Sequence, residues 1–319
     1  MGRALLIGGA GFVGAYLARE LLERGEEVVV LDGARSYLPG GEQEAARARA
    51  WRRKTLLKEA TVRAGGPDDG ERLRRDVAAI RPDVVVQLAN LPVVGVAARD
   101  RAGAERAIVG ATAKVIAATA DLAPDARLVY VSSSMVYGDF VADPQPEDAP
   151  LRPREPYGAC KLAAEESVRS SGLDWTIVRP SAVYGPGDAN GRFLQRLVQA
   201  ATLGRTLDLT ADPAARLDFT WVGDLAAGLA QAALCPAASR RAFNITAGRA
   251  RSLREAIEIV RGLGHEVEVR AHEAATLHPR RGTLDIARAR TTLGYRPTWS
   301  LERGLAAYLN AVAADALAA

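Results

Sequence analysis

The hydrophobic positions of this chain fall into short, unbroken blocks separated by longer stretches with a helical rhythm. Residues 4–7, 27–31, 83–88, 127–132 and 174–179 each carry an apolar run, clearest in Val84-Val85-Val86. A strand with one wet face alternates apolar and polar residues. A continuous run is buried on both faces, as in a parallel sheet covered by helices. Alternation of such strands with helical segments predicts an α/β fold with a doubly wound parallel sheet.

After Arg179 the pattern loosens. Pro180, Gly185, Pro186 and Gly187 mark a loop, followed by a helix over 192–203. A strand at 217–221 and a helix at 224–234 read as a return to the sheet. The last 75 residues mix short strands with two helices, which suits a smaller C-terminal α/β domain. The expected division is 1–178 plus about 217–243 for the sheet domain, and about 179–216 plus 244–319 for the second. Residues 33–41 read as loop and 42–58 as an additional arginine-rich helix.

Composition narrows the function classes. At 319 residues, 48% hydrophobic and 25% charged, the chain is an ordinary globule able to bury a large core. The net charge of +4 is small, and no basic run is interleaved with aromatics, so a nucleic-acid partner is not expected. The densest basic stretch, 47–58, reads as the solvated face of a helix. Cys160 and Cys235 make no disulfide framework or metal cluster, and the three histidines all follow residue 264. No apolar run reaches membrane-spanning length, and strand-like sequence from residue 3 leaves no room for a signal peptide, so a cytosolic location is expected.

Candidate chemistry begins at the first turn. Gly8-Gly9-Ala10-Gly11-Phe12-Val13-Gly14 follows the first strand and opens the first helix. Glycines there let backbone N–H groups and a helix N-terminus approach a pyrophosphate, which makes the sheet Rossmann-type. Asp32 ends the second strand, 18 residues after Gly14. A carboxylate at that place accepts from adenosine ribose hydroxyls and repels a 2′-phosphate, favouring NAD over NADP. Arg35 is a cation close by that weighs the other way, and less.

A second constellation is Tyr157 and Lys161, one helical turn apart in a chain with only four lysines. Residues i and i+4 share a helix face, so phenol and ammonium can point into one pocket. A nearby cation favours the phenolate, and a phenolate can serve as a general base.

Together these residues resemble the extended short-chain dehydrogenase/reductase family, specifically its nucleotide-sugar epimerases and dehydratases. The likeness runs through Val131-Ser132-Ser133-Ser134-Met135-Val136-Tyr137-Gly138, Tyr157 with Lys161, Arg179-Pro180-Ser181-Ala182-Val183-Tyr184-Gly185-Pro186, Asp218-Phe219-Thr220-Trp221-Val222-Gly223-Asp224 and Leu293-Gly294-Tyr295-Arg296-Pro297. The resemblance implies NAD held by Gly8, Gly11, Phe12, Val13, Gly14, Asp32, Leu88, Ala89, Tyr157, Lys161 and Pro180. It implies a catalytic set of Ser133, Tyr157 and Lys161: Tyr157 removes a sugar hydroxyl proton, Ser133 bonds the same oxygen, and Lys161 holds the nicotinamide ribose and supports the phenolate. It implies a UDP-sugar held by Ser133, Ser134, Tyr157, Arg192, Arg216 and Arg281, and a homodimer formed through helices around 111–120 and 157–170.

The reaction is narrowed by neighbours of Ser133. Family dehydratases carry an Asp-Glu pair where this chain has Ser134-Met135, and UDP-glucuronate decarboxylases usually carry Glu in place of Met135. The form here resembles the epimerases, and 4-epimerisation needs no second acid. Arg192 falls close to where uronic-acid epimerases recognise the sugar carboxylate, so UDP-glucuronic acid is the expected substrate, with 4-epimerisation of UDP-glucose, decarboxylation of UDP-glucuronate or another NAD-dependent nucleotide-sugar reaction as alternatives. A dinucleotide-sensing regulator would have no need of Ser133, Tyr157 and Lys161 together. The chain departs from the family pattern at Ala182 and Ile108, where Asn is common, at Arg216, which stands one residue early, and at Gly65-Gly66-Pro67-Asp68 beside the adenine. Cys160, Trp221 and Trp299 are expected to be packing residues.

Overall fold

The computed structural model describes residues 2–34, 41–91, 94–272 and 279–314. Arg35 and most of the expected loop at 33–41 lie outside the described residues. The chain begins with β1 (Arg3–Ile7), α1 (Phe12–Glu23), β2 (Glu27–Asp32), α2 (Glu42–Thr55), β3 (Thr61–Ala64), α3 (Gly70–Ile80) and β4 (Val84–Gln87). A helical stretch follows, α4 (Val94–Arg99), α5 (Arg101–Glu105) and α6 (Ala111–Leu122), the last two joined by a π-helical turn over Arg106–Gly110. Then come β5 (Arg127–Val131), α7 (Pro156–Arg169) and β6 (Trp175–Arg179).

Among the described residues the main sheet has seven strands, and all its pairings are parallel. Six of the strands are β1 to β6, with β1 between β2 and β4. The strand side chains alternate between two cores. Leu6, Val28, Val30, Val86, Val129 and Val178 face one side, with α1. Leu5, Ile7, Val29, Leu31, Val85, Leu128 and Ile177 face the other, with α3, α6 and α7. This two-sided burial is why the strands read as unbroken apolar blocks.

The rest of the chain comprises β7 (Val183–Tyr184), α8 (Phe193–Leu203), β8 (Leu207–Leu209), β9 (Arg216–Leu217), β10 (Thr220–Trp221), α9 (Val222–Leu234), β11 (Arg241–Asn244), β12 (Arg251–Ser252), α10 (Leu253–Gly262), β13 (Val269–Ala271), α11 (Ala287–Leu293) and α12 (Leu301–Ala313). Of these, α9, α11 and β11 join the first body. α9 packs on α1, and β11 is the seventh strand, beside β6. A third core unites α8, α10 and α12 in the C-terminal domain, with Trp221 stacked on Trp299 at 4.5 Å.

Three expectations change here. The segment 217–221 is not a sheet strand: β9 pairs antiparallel with β12, and β10 pairs with β7. Between them Asp218 accepts hydrogen bonds from Thr246 Oγ1 and Leu284 N–H, which pulls that backbone towards C-terminal loops. The true seventh strand, Arg241-Ala242-Phe243-Asn244, has too few apolar residues to stand out. The C-terminal stretch holds three described helices, not two, α11 being only 7 residues long. Finally, α2 is not simply a solvated basic helix, because Arg52 within it is 6% exposed.

Candidate active site

Strand order reverses between β2 and β4 on either side of β1, and the crevice beyond their C-terminal ends is where such sheets bind ligands. The glycine turn forms its floor. Gly8 sits at φ 81°, and a Cβ on it would lie 2.6 Å from the Ala89 nitrogen; one on Gly14 would lie 2.6 Å from Gly9 Cα. Both positions therefore require a bare backbone. Gly11 caps α1 without a side-chain bond, and the first turn carries no acidic residue, which leaves its N–H groups to an anion. Asp32 accepts from Ala10 N–H at 3.0 Å and Ala34 N–H at 2.7 Å, so its carboxylate is fixed at the end of β2.

All the cofactor positions expected from the sequence line this one cleft: Gly8, Gly11, Phe12, Val13, Gly14, Asp32, Leu88, Ala89, Tyr157, Lys161 and Pro180. The bare turn for a pyrophosphate and the carboxylate beyond it fit a dinucleotide. Ala45, Arg49 and Arg52 of α2, with Asn90 and Asn190, also line the cleft and were not foreseen. The helical pattern of 42–58 gave no hint of them, because burial of an arginine is decided by distant partners.

At the far end of the cleft, α7 carries Tyr157 and Lys161 on its buried face. Pro156 opens that helix at its first turn, where a missing N–H costs nothing. The Ser133 hydroxyl accepts from Met135 N–H at 3.2 Å and lies close enough to the Tyr157 phenol to act on its pKa. Burial pushes the phenol above its ordinary pKa, while the Arg192 guanidinium and the Ser133 hydroxyl pull it back. Lys161 donates to Val131 O at 2.7 Å, and its nitrogen stands 5.9 Å from the Tyr157 ring centroid. Burial lowers the Lys161 ammonium to about 7, with Glu165 opposing. The cation that bears on Tyr157 in this arrangement is Arg192.

Behind these groups lies a buried polar network. Glu165 accepts from Ser132 Oγ at 2.6 Å, from Arg179 Nε at 2.9 Å and Nη2 at 2.7 Å, and from Arg169 Nη2 at 2.9 Å. Arg179 also donates to the Tyr137 hydroxyl at 2.9 Å, and that hydroxyl donates to Asn244 Oδ1 at 2.8 Å. The Glu165–Arg179 pair is almost fully excluded from solvent.

The three arginines differ. Arg192 lines the cleft and pairs with Asp188 at 2.9 Å. Arg281 donates to Ser134 Oγ and to Ser181 Oγ, with its other nitrogen against Met135 Sδ, so it stands beside the Ser133 strand end. Burial lowers its pKa to about 10, with Glu155 and Asp218 opposing. Arg216 is directed elsewhere: it donates to Ala250 O at 3.1 Å and lies 3.6 Å from Asp143. Trp221, Trp299 and Cys160 are packed as expected.

The cleft is that of a dinucleotide-using α/β fold. Residues 4–246 match the model of the NAD dependent epimerase/dehydratase family, and the chain belongs to that family. The UDP-glucose 4-epimerase of Mycolicibacterium smegmatis is 31% identical over 313 residues, 95% of this chain and 96% of the relative. UDP-glucuronate 4-epimerase 4 of Arabidopsis thaliana is 28% identical over 96% of this chain and 74% of its own length. The solved structure of MoeE5 in complex with UDP-glucuronic acid and NAD superposes with a TM-score of 0.85 at 28% identity, covering 98% of this chain and 100% of the other. The cofactor is NAD. No described helix is long and apolar enough to cross a membrane.

Proposed function

We propose that the chain is a UDP-sugar 4-epimerase and that its substrate is UDP-glucuronic acid, converted to UDP-galacturonic acid. The observation that carries the reaction is the placement of Tyr157 and Lys161 along the cleft from the buried face of α7, with the Ser133 hydroxyl beside the phenol. NAD bound on the glycine turn supplies reversible acceptance of the C4 hydride. Tyr157 takes the proton of the 4-hydroxyl and returns it after the 4-keto sugar has presented its other face. Ser133 holds the same oxygen, and Arg192 offsets part of the burial cost of the phenolate. Lys161 shares the buried face of α7 with Tyr157 and lines the same cleft, where it would hold the nicotinamide ribose.

Met135 supports epimerisation over elimination or decarboxylation. Its thioether, held against Arg281, stands where the dehydratases and decarboxylases this chain resembles carry an acid. Arg192 supports a uronic acid, since a guanidinium fork suits a carboxylate. UDP-glucose is the second reading, favoured by the M. smegmatis relative. The resemblance also supports a homodimer through α6 and α7, and a nucleotide-sugar domain formed by about 179–216 and 244–319.

Purified protein given UDP-glucuronic acid or UDP-glucose separately, with products read by NMR, tests the reading. UDP-galacturonic acid as the faster product supports it. A pentose with carbon dioxide, or conversion of UDP-glucose alone, overturns it.

A further inference from the structure

We infer that Arg52 is a positioning residue that straps the dinucleotide turn to the loop carrying Arg192, so that cofactor release is coupled to nucleotide-sugar occupancy. The inference rests on the UDP-sugar reading only for the ligand on the second side.

Arg52 sits in the last turn of α2, and its two bonds reach residues 42 positions before it and 135 positions after it in the chain. Nε donates to Ala10 O at 3.0 Å, inside the glycine turn. Nη1 donates to Gly187 O at 2.5 Å, in the loop before α8. A buried charge with only neutral acceptors is costly. Asp32 and Asp188 lie near enough to oppose that cost, and burial still lowers the Arg52 pKa to about 10. A surface helix has no need of such a residue. A planar fork presents two donors at a fixed, wide separation to two carbonyls, a span that a compact ammonium matches less well.

The Gly187 loop is fitted to α2. Gly187 has φ 84°, and a Cβ there would lie 2.9 Å from Trp51 Cζ3. One residue on, Asp188 receives Arg192 Nη1 through both oxygens, at 3.0 and 2.9 Å, and Asn190 Nδ2 at 2.6 Å. The other end of α2 grips the same region. Glu44 accepts from Gln195 at 2.6 Å and Gln199 at 2.5 Å, and Gln195 in turn accepts from Gly191 N–H at 2.8 Å. The loop therefore cannot leave the glycine turn without breaking Arg52's bonds. Arg192 stands at its far end, close enough to Tyr157 to lower its pKa. A ligand that holds this loop closed strengthens the grip on the dinucleotide, and by linkage the dinucleotide strengthens binding of that ligand by the same factor.

The test is exchange of bound NAD for isotopically labelled NAD from the holoenzyme, with and without saturating UDP. UDP is used so that the result does not depend on the sugar. Wild type is expected to exchange at least about tenfold more slowly with UDP, a coupling of about 1.4 kcal/mol. In Arg52→Ala, exchange is at least tenfold faster and UDP changes it less than twofold. Arg52→Lys, able to keep one carbonyl, falls between the two. Glu44→Ala, on the exposed side of the strap, also weakens the UDP effect, and it keeps the test alive if Arg52→Ala fails to fold. Wild-type exchange in folded Arg52→Ala, or a full UDP effect in Glu44→Ala, would overturn the strap. Calorimetric titration with UDP separates the two levels. UDP that does not bind sinks the UDP-sugar reading, whereas UDP that binds without slowing exchange sinks the strap alone.

Discussion

Replacing Glu165 with glutamine removes the charge on which the deepest polar contacts of the fold converge. Its carboxylate accepts both nitrogens of the Arg179 fork, the Ser132 hydroxyl and Arg169, with the Glu165 side chain 0% exposed and Arg179 1%. Neutralising one partner of such a pair leaves the other buried and uncompensated, at a cost of about 3–5 kcal/mol. For a chain of this size that lowers Tm by roughly 4–8 °C. The site should feel it as well, because Glu165 is the group that opposes the burial-driven lowering of Lys161. Without it the Lys161 ammonium loses its proton below about 7, so a smaller fraction is charged at neutral pH. The assay is thermal unfolding of the holoenzyme together with kcat/KM measured from pH 6 to 8. The wild-type to variant ratio of kcat/KM is expected to grow with pH. A Tm within about 2 °C of wild type, with a ratio flat in pH, would refute the reasoning.

Two further outcomes follow from the arginine and carboxylate placements. Arg192→Gln should lower kcat/KM for UDP-glucuronic acid by roughly 10- to 150-fold, the worth of one charge-assisted hydrogen bond, and cost a neutral UDP-sugar far less. Its loss also removes a charge that lowers the Tyr157 pKa, so the rising limb of the pH profile should move to higher pH. Asp218 is raised to about 6 by burial, so the folded state holds its proton more tightly than the unfolded one. Its contribution therefore makes stability fall as pH rises from about 4 to 6, by roughly 2–3 kcal/mol. Denaturant unfolding of wild type against Asp218→Asn should show that difference, and parallel curves would contradict it.

The parts of the molecule legible in the sequence are those set by local chemistry. The unbroken apolar strands, the glycine turn and the i to i+4 spacing of Tyr157 and Lys161 each follow from neighbours in the chain, and the structure gathers them at one cleft. What was not legible depends on partners far away. Strand β11 is short and polar at both ends, and is a strand because β6 offers it an edge. The split of 216–221 is set by Asp218 binding Thr246 and Leu284. Arg52 looks like any other arginine of a basic helix until Ala10 and Gly187 are seen on either side of it. Arg216 shows the converse. A family position shifted by one residue ends on Ala250 and beside Asp143 rather than in the cleft.

The central claim is that Tyr157 is the base of an epimerase. Tyr157→Phe removes only the phenolic oxygen from a ring that is already buried. Measured on UDP-glucuronic acid by NMR, turnover should fall by at least about a hundredfold while the purified protein still carries its NAD. Turnover within tenfold of wild type, with the cofactor in place, would contradict the account.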